Sequence, residues 1–446
     1  MSGLRDRAVL LAGGVCVAAY VFVFATGRAG PPIRSDGFSY YVYLPSWVLY
    51  HDASLQRVAD DCCGGEFPAF TAIVRWPATG RWVNAHPVGV AVLMAPFFVA
   101  AHLLTRWTNL SPDGFTLYYQ HAAGLAGLFY AVAGLWLLRR LLDRHFTPGV
   151  VVATLFAVLL GTSLLHYATH DSTWSHAFSF FLCAALLERL APLGVRSPFS
   201  NGKSRSDPVS AGAASGEVSG GRIRNAEDDE ADPVIIGVIA GLMVLVRHTN
   251  VIVPLAFVPF RVRSAAARGT VAVVTLLVVL PQLAIYWRAT GRPIGSSYGS
   301  LGFTFLTPHL FGVLFSVQKG LFFWAPVLLA ALAGAAWLPA GLRWMRAPSA
   351  IVLVLQTYLI ASWWDWQFGA SFGHRGFVDF YPLFAVGLAA FFQRVASLRS
   401  APRLAWSIAA ALLCALTLFE MTLYWNGVLP QSDTTWAQYR ASLGLP

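Results

Sequence analysis

The residues most able to do chemistry begin with Asp36, in the stretch Arg34-Ser35-Asp36-Gly37-Phe38-Ser39-Tyr40-Tyr41. A carboxylate beside a flexible glycine can act as a general base on a hydroxyl. Tyr40 and Tyr41 add rings and hydroxyls for a substrate. The plainer reading makes Asp36 the cap of a short helix. A second group, His170-Asp171-Ser172-Thr173-Trp174-Ser175-His176, offers another carboxylate and two imidazoles. Asp36 and Asp171 with a histidine could hold a hard divalent cation, whereas Ser172 or Thr173 could simply cap the helix that follows. Arg247, between two short apolar stretches, is a costly charge that calls for an anionic partner, and its planar fork suits a phosphate. Lys319 is one of two lysines in the chain. It precedes a run from Trp363 to Arg375 in which Trp364, Asp365 and Trp366 alternate with glycines, a composition fit for a sugar or lipid headgroup. Asp379, four residues after Arg375, is spaced for an ion pair with it. His86 opens a further apolar segment and could contact a phosphate or cap that segment.

These residues need a scaffold, and composition names it. The 446 residues are 57% hydrophobic and 12% charged, far below the roughly 25% charged of soluble domains. Apolar runs of about 18–22 residues recur, the length of a bilayer-crossing helix. The expected fold is an all-α polytopic membrane protein with about 11 transmembrane helices and a long first outer loop, residues 28–117, carrying interfacial helices. Val88–Leu104 is read as one of these rather than as a span. Making it a span would move the arginine clusters that follow it to the outer side, against the positive-inside rule. Three regions are expected: an N-terminal membrane region (1–193), a Gly/Ser-rich disordered cytoplasmic loop (194–232), and a C-terminal membrane region (233–446). The net charge of +10 lies in short connections between apolar runs, which excludes nucleic acid as a partner in favour of membrane lipid. Cys16, Cys183 and Cys414 lie in spans. Cys62 and Cys63 are adjacent, a pair expected not to bridge.

The order of these motifs resembles the GT-C superfamily of membrane glycosyltransferases, which includes protein O-mannosyltransferases and aminoarabinose transferases. The resemblance rests on Ser35-Asp36-Gly37 in the first outer loop, the His86-Pro87 step, the Arg139-Arg140 end of the second span, Trp174-Ser175-His176-Ala177 and the Arg247 hairpin. It covers most of the chain outside the linker and the C-terminal tail.

That resemblance implies an inverting hexosyl- or pentosyltransferase using a polyprenyl-phosphate sugar donor and a lipid, glycan or protein acceptor. It makes Asp36 the general base. His86 matches a phosphate-contacting position that is lysine in aminoarabinose transferases, and Asp171 matches a second acidic position of the outer loops. Under that resemblance Arg247, Lys319 and Arg375 are expected to hold the donor phosphate, and Tyr40, Tyr41, Asp171, His176, Trp364, Asp365 and Trp366 to contact the substrates. No cofactor is assigned with certainty, and a divalent metal on Asp36 and Asp171 is compatible with this chemistry. The setting is a bacterial inner membrane, with the N-terminus cytoplasmic and the site outside. The rival expectation is a transporter or flippase, since half-length helices around an arginine resemble broken transporter helices.

Overall fold

The computed structural model describes residues 2–191, 232–294 and 302–445; the expected disordered loop falls almost wholly outside them. Among the described residues the chain is all-α apart from one small hairpin. Six helices among the described residues are long and apolar enough to cross a membrane, at Asp6–Ala25, Leu117–Asp143, Ala265–Thr290, Ala340–Ser362, Arg375–Ala396 and Ser400–Trp425. Large apolar side chains such as Leu276, Val354 and Leu412 point outward from them, a surface that hydrocarbon solvates and water does not. This is the architecture of a membrane-embedded protein.

Helix α1 (Ser2–Ala25) leads into a segment holding α2 (Asp36–Tyr41), α3 (Gln56–Cys63) and α4 (Gly89–Thr105). An unforeseen hairpin, β1 (Ile73–Arg75) with β2 (Trp82–Asn84), lies between α3 and α4. The strands are three residues each, too short for periodicity to reveal. Helix α5 (Leu117–Asp143) runs antiparallel to α1: Tyr20 bonds His121 near one end and Asp6 pairs with Arg139 near the other. We call these the site end and the arginine end.

Helix α4 leans along the site-end part of α5. Its Leu93 carbonyl accepts from Tyr130 Oη at 3.1 Å, and its His102 Nδ1 lies 2.6 Å from Tyr119 Oη. It therefore returns to the end where α5 begins and does not reach Arg139. Met94, Phe98 and Ala101 bury one face of it.

Helices α6 (Pro148–Leu160), α7 (Leu164–Thr169) and α8 (Ser175–Leu190) follow. The chain breaks between α6 and α7, where Gly161 lets the backbone approach Cys414 and Val327. At the arginine end, Glu188 of α8 pairs with Arg144 and Arg140. Helices α9 (Pro233–Val246) and α10 (Ile252–Arg261) form the expected short pair, with Arg247 to Asn250 at their apex. Arg261 bonds the Leu190 carbonyl back at the arginine end. Helix α11 (Ala265–Thr290) packs along α9, and the β-hairpin covers its last carbonyls through Thr79 and Arg81.

Helix α12 (Leu310–Phe315) is followed by α13 (Leu321–Trp324) and α14 (Val327–Gly334), which part at Pro326 because proline removes a helical donor. Helices α15 (Arg346–Ser362), α16 (Tyr381–Ala396), α17 (Ser400–Trp425) and α18 (Trp436–Ser442) complete the order. Cys62 and Cys63 form a disulfide, against the expectation from their adjacency.

Candidate functional site

A cavity of about 410 Å³ opens at the site end. Its wall is assembled from the Asp36 helix, the His86 step, the start of α8, the Arg247 apex, α15 and the Trp363–Arg375 run. Asp36, Tyr40, His86, His176, Arg247, Trp364, Asp365 and Arg375 all line it. Eight residues from widely separated parts of the sequence thus converge on one volume.

The centre is an ion pair. Arg375 Nη1 donates to Asp36 Oδ2 at 2.7 Å, and His86 Nε2 lies 3.8 Å from the same oxygen. Burial alone would raise the Asp36 pKa, but the Arg375 charge, with His86 beside it, outweighs burial and holds the carboxyl well below the usual carboxylate range. Asp36 is the first residue of α2 and Ser35 makes no side-chain cap, so its carboxylate serves the ion pair. Arg375 also covers the Trp174 ring at 4.5 Å, and Arg375 and Arg247 both face Phe368, at 5.6 and 5.9 Å. Two non-glycine residues beside the site, Ser35 (φ 48°) and Phe368 (φ 58°), hold left-handed backbone, a cost that packing must overcome and that recurs at functional sites.

Asp379 does not pair with Arg375. Its Oδ1 lies 2.9 Å from His176 Nδ1 and its Oδ2 3.6 Å from Arg247 Nε. The residues before α16 form a 3₁₀ turn rather than an α-helix, so an i,i+4 spacing does not bring these two side chains together.

Four expected site residues lie elsewhere. Tyr41 is buried and its hydroxyl bonds the Gly114 carbonyl. Trp366 packs against His309 and Gly312. Lys319 is 2% exposed and donates to the carbonyls of Ser371 and, at 2.8 Å, Gln431, tying the Trp363–Arg375 run to the C-terminal tail. Asp171 sits in a closed network. His166 Nε2 is 2.8 Å from its Oδ2, and Arg34 Nη2 donates to its Oδ1 at 2.7 Å.

This network has the residue types of a metal centre. Ligand atoms of His166, His170 and Asp171 lie within 4.8 Å of one another. However, Arg34 Nη2 also stands 3.0 Å from His170 Nδ1, and His166 Nδ1 accepts from Trp425 Nε1 at 2.8 Å. A guanidinium already occupies the donor set and one imidazole lone pair is used, so these residues do not fit a divalent cation. Asp36 and Asp171 are each committed to a different arginine.

Burial pushes the Lys319 pKa down from 10.5 to about 7, with Arg375 adding repulsion. The unfolded chain then binds the extra proton between about pH 7 and about 10, so stability should rise with pH across that window, with a slope of at most roughly 1.4 kcal/mol per pH unit. Thermal unfolding of the purified protein between pH 7 and 10, against Lys319→Met, checks this; equal slopes for both proteins would refute it.

Sequence reasoning missed Trp174, Phe368 and Gln356 as wall residues, because each reads locally as an anchor or as span interior. A scan of protein-family models finds none that matches this chain, and a search of curated proteins likewise finds no match.

Proposed function

We propose that this chain is a membrane glycosyltransferase of the GT-C kind, transferring a sugar from a polyprenyl-phosphate donor to a hydroxyl acceptor with inversion. The observation that carries the reading is the convergence of Asp36, His86, Arg247 and Arg375 in one cavity walled by Trp174, Trp363, Trp364 and Phe368. Guanidiniums suit a phosphate leaving group, aromatic faces suit a sugar ring, and a carboxylate suits an attacking hydroxyl. His86 Nδ1 and Gln356 Oε1, both buried on wall residues, have no hydrogen-bond partner among the described residues, and a polyhydroxylated ligand would satisfy such atoms.

In the proposed step the acceptor hydroxyl oxygen bonds the anomeric carbon. The bond from that carbon to the phosphate oxygen breaks, and its electron pair leaves on the phosphate between Arg247 and Arg375. The hydroxyl proton goes to Asp36. Arg375 must turn from Asp36 to the phosphate for this, which raises the basicity of the carboxylate as the donor arrives.

The lipid-linked donor fits the geometry of α9. Its 14 residues rise about 21 Å, short of the roughly 30 Å of hydrocarbon, so the Arg247 apex lies within reach of a headgroup drawn into the membrane. Eleven crossings, a cytoplasmic N-terminus and an outward-facing site in a bacterial inner membrane complete the reading. A topology reporter fused after Arg140 should report cytoplasm; an external signal would overturn this orientation.

The broken α9–α10 pair is also what a flippase would use. Purified protein in lipid vesicles should transfer sugar from polyprenyl-phosphate sugars to an acceptor. Movement of the lipid across the bilayer without transfer would replace the proposal with the flippase reading.

A further inference from the structure

Asp379 lies behind the cavity wall, 2% exposed, and holds two side chains that do line it. They come from separate elements, His176 from α8 and Arg247 from the α9–α10 apex. The 2.9 Å between Asp379 Oδ1 and His176 Nδ1 requires a proton between them, since two lone pairs at that distance would repel. Arg247 can only donate, and its Nη1 lies 3.3 Å from the same ring nitrogen; its Nε also stands 3.6 Å from Asp379 Oδ2, so the guanidinium is held by the ionised carboxylate and the shorter 2.9 Å contact takes the Nδ1 proton. With Nδ1–H turned to Asp379, the Nε2 edge is the part of the ring left to face the cavity. Tyr167 and Trp174 pack on the ring at 4.7 and 6.4 Å, which fixes its plane.

We propose that Asp379 is a positioning residue that sets the His176 tautomer, and that His176 Nε2 is a second proton acceptor of the cavity. The assignment of a chemical role rests on the glycosyl-transfer reading. In that reaction the proton released by the acceptor hydroxyl passes from Asp36 to Nε2 through cavity water. The product is an imidazolium paired with Asp379, and Asp36 is restored as a carboxylate. Asp36 is a poor resting place for the proton once Arg375 returns to it from the departing phosphate, because the guanidinium favours the charged carboxylate.

The relay makes Asp379 matter through kcat rather than through binding. Asp379→Asn should lower kcat by roughly 10²-fold, with the donor KM changed less than about threefold. Asp379→Glu should recover part of that loss. His176→Asn keeps an amide donor for Asp379 but removes the ring nitrogen at the cavity, so it should fall as far as Asp379→Asn. Nitrogen-15 NMR of histidine-labelled wild-type protein, with His176→Asn for assignment, should show the His176 proton on Nδ1. Folded Asp379→Asn protein with normal kcat, or a wild-type proton on Nε2, would overturn the inference. If no protein transfers sugar, the glycosyltransferase reading fails, and the tautomer measurement still decides the role of Asp379.

Discussion

Asp36→Asn is expected to reduce transfer by roughly 10²–10⁴-fold, the usual contribution of a general base. The amide matches the carboxylate in shape and can still accept from Arg375, so the protein should fold. It cannot take a proton. A second consequence separates this prediction from a general loss of function. Arg375 Nη1 is 2.7 Å from Asp36 Oδ2, and removing the carboxylate charge leaves the guanidinium more attractive to a phosphate. Donor binding should tighten while turnover collapses, a split expected when a group acts in the transition state rather than in binding. Steady-state kinetics on purified protein, with donor-lipid titration, check both parts. Full turnover in folded Asp36→Asn protein would end the assignment of the base.

Gly37→Ala is expected to cost nearly as much, by a different route. A Cβ at Gly37 would stand 2.0 Å from Thr173 Oγ1, 2.9 Å from Thr173 Cβ and 3.3 Å from the Trp174 ring. Thr173 cannot simply rotate away, since its Oγ1 donates to the Pro32 carbonyl at 2.8 Å. The turn carrying Asp36 must therefore move by about an ångström, and displacements of that size can cost roughly 10²-fold in rate. The same shift would draw Asp36 from Arg375. Activity should fall about 10²-fold while thermal stability changes far less; near-normal activity would show that the turn has slack the packing does not reveal.

How much of this was legible beforehand differs by residue. Asp36, His86, Arg247 and Arg375 could be singled out because a charge or imidazole beside an apolar run is conspicuous. Lys319 was conspicuous for the same reason, yet two backbone carbonyls take up its amino group. Asp171 likewise has the composition of a site, while Arg34, His166 and Trp425 close it into a scaffold. Residue type shows that a polar group needs a partner; it does not show whether the partner is protein or ligand. Tyr41 and Trp366 illustrate the same limit, being turned toward protein where Tyr40 and Trp364 face the cavity.

The all-α character, the apolar helices and the apex at Arg247 were determined by the sequence itself, because helix length against bilayer thickness and the cost of a charge in lipid act locally along the chain. The pairings were decided only by tertiary structure. Arg375 meets Asp36 across 339 positions, and Asp379 meets His176 across 203. Such contacts depend on how helices of similar composition pack together, and small residues such as Gly37, Gly89 and Gly127 set that packing by permitting close approach. An apolar run specifies that a helix lies in the membrane; the shapes of the surfaces between helices specify which carboxylate faces which cation.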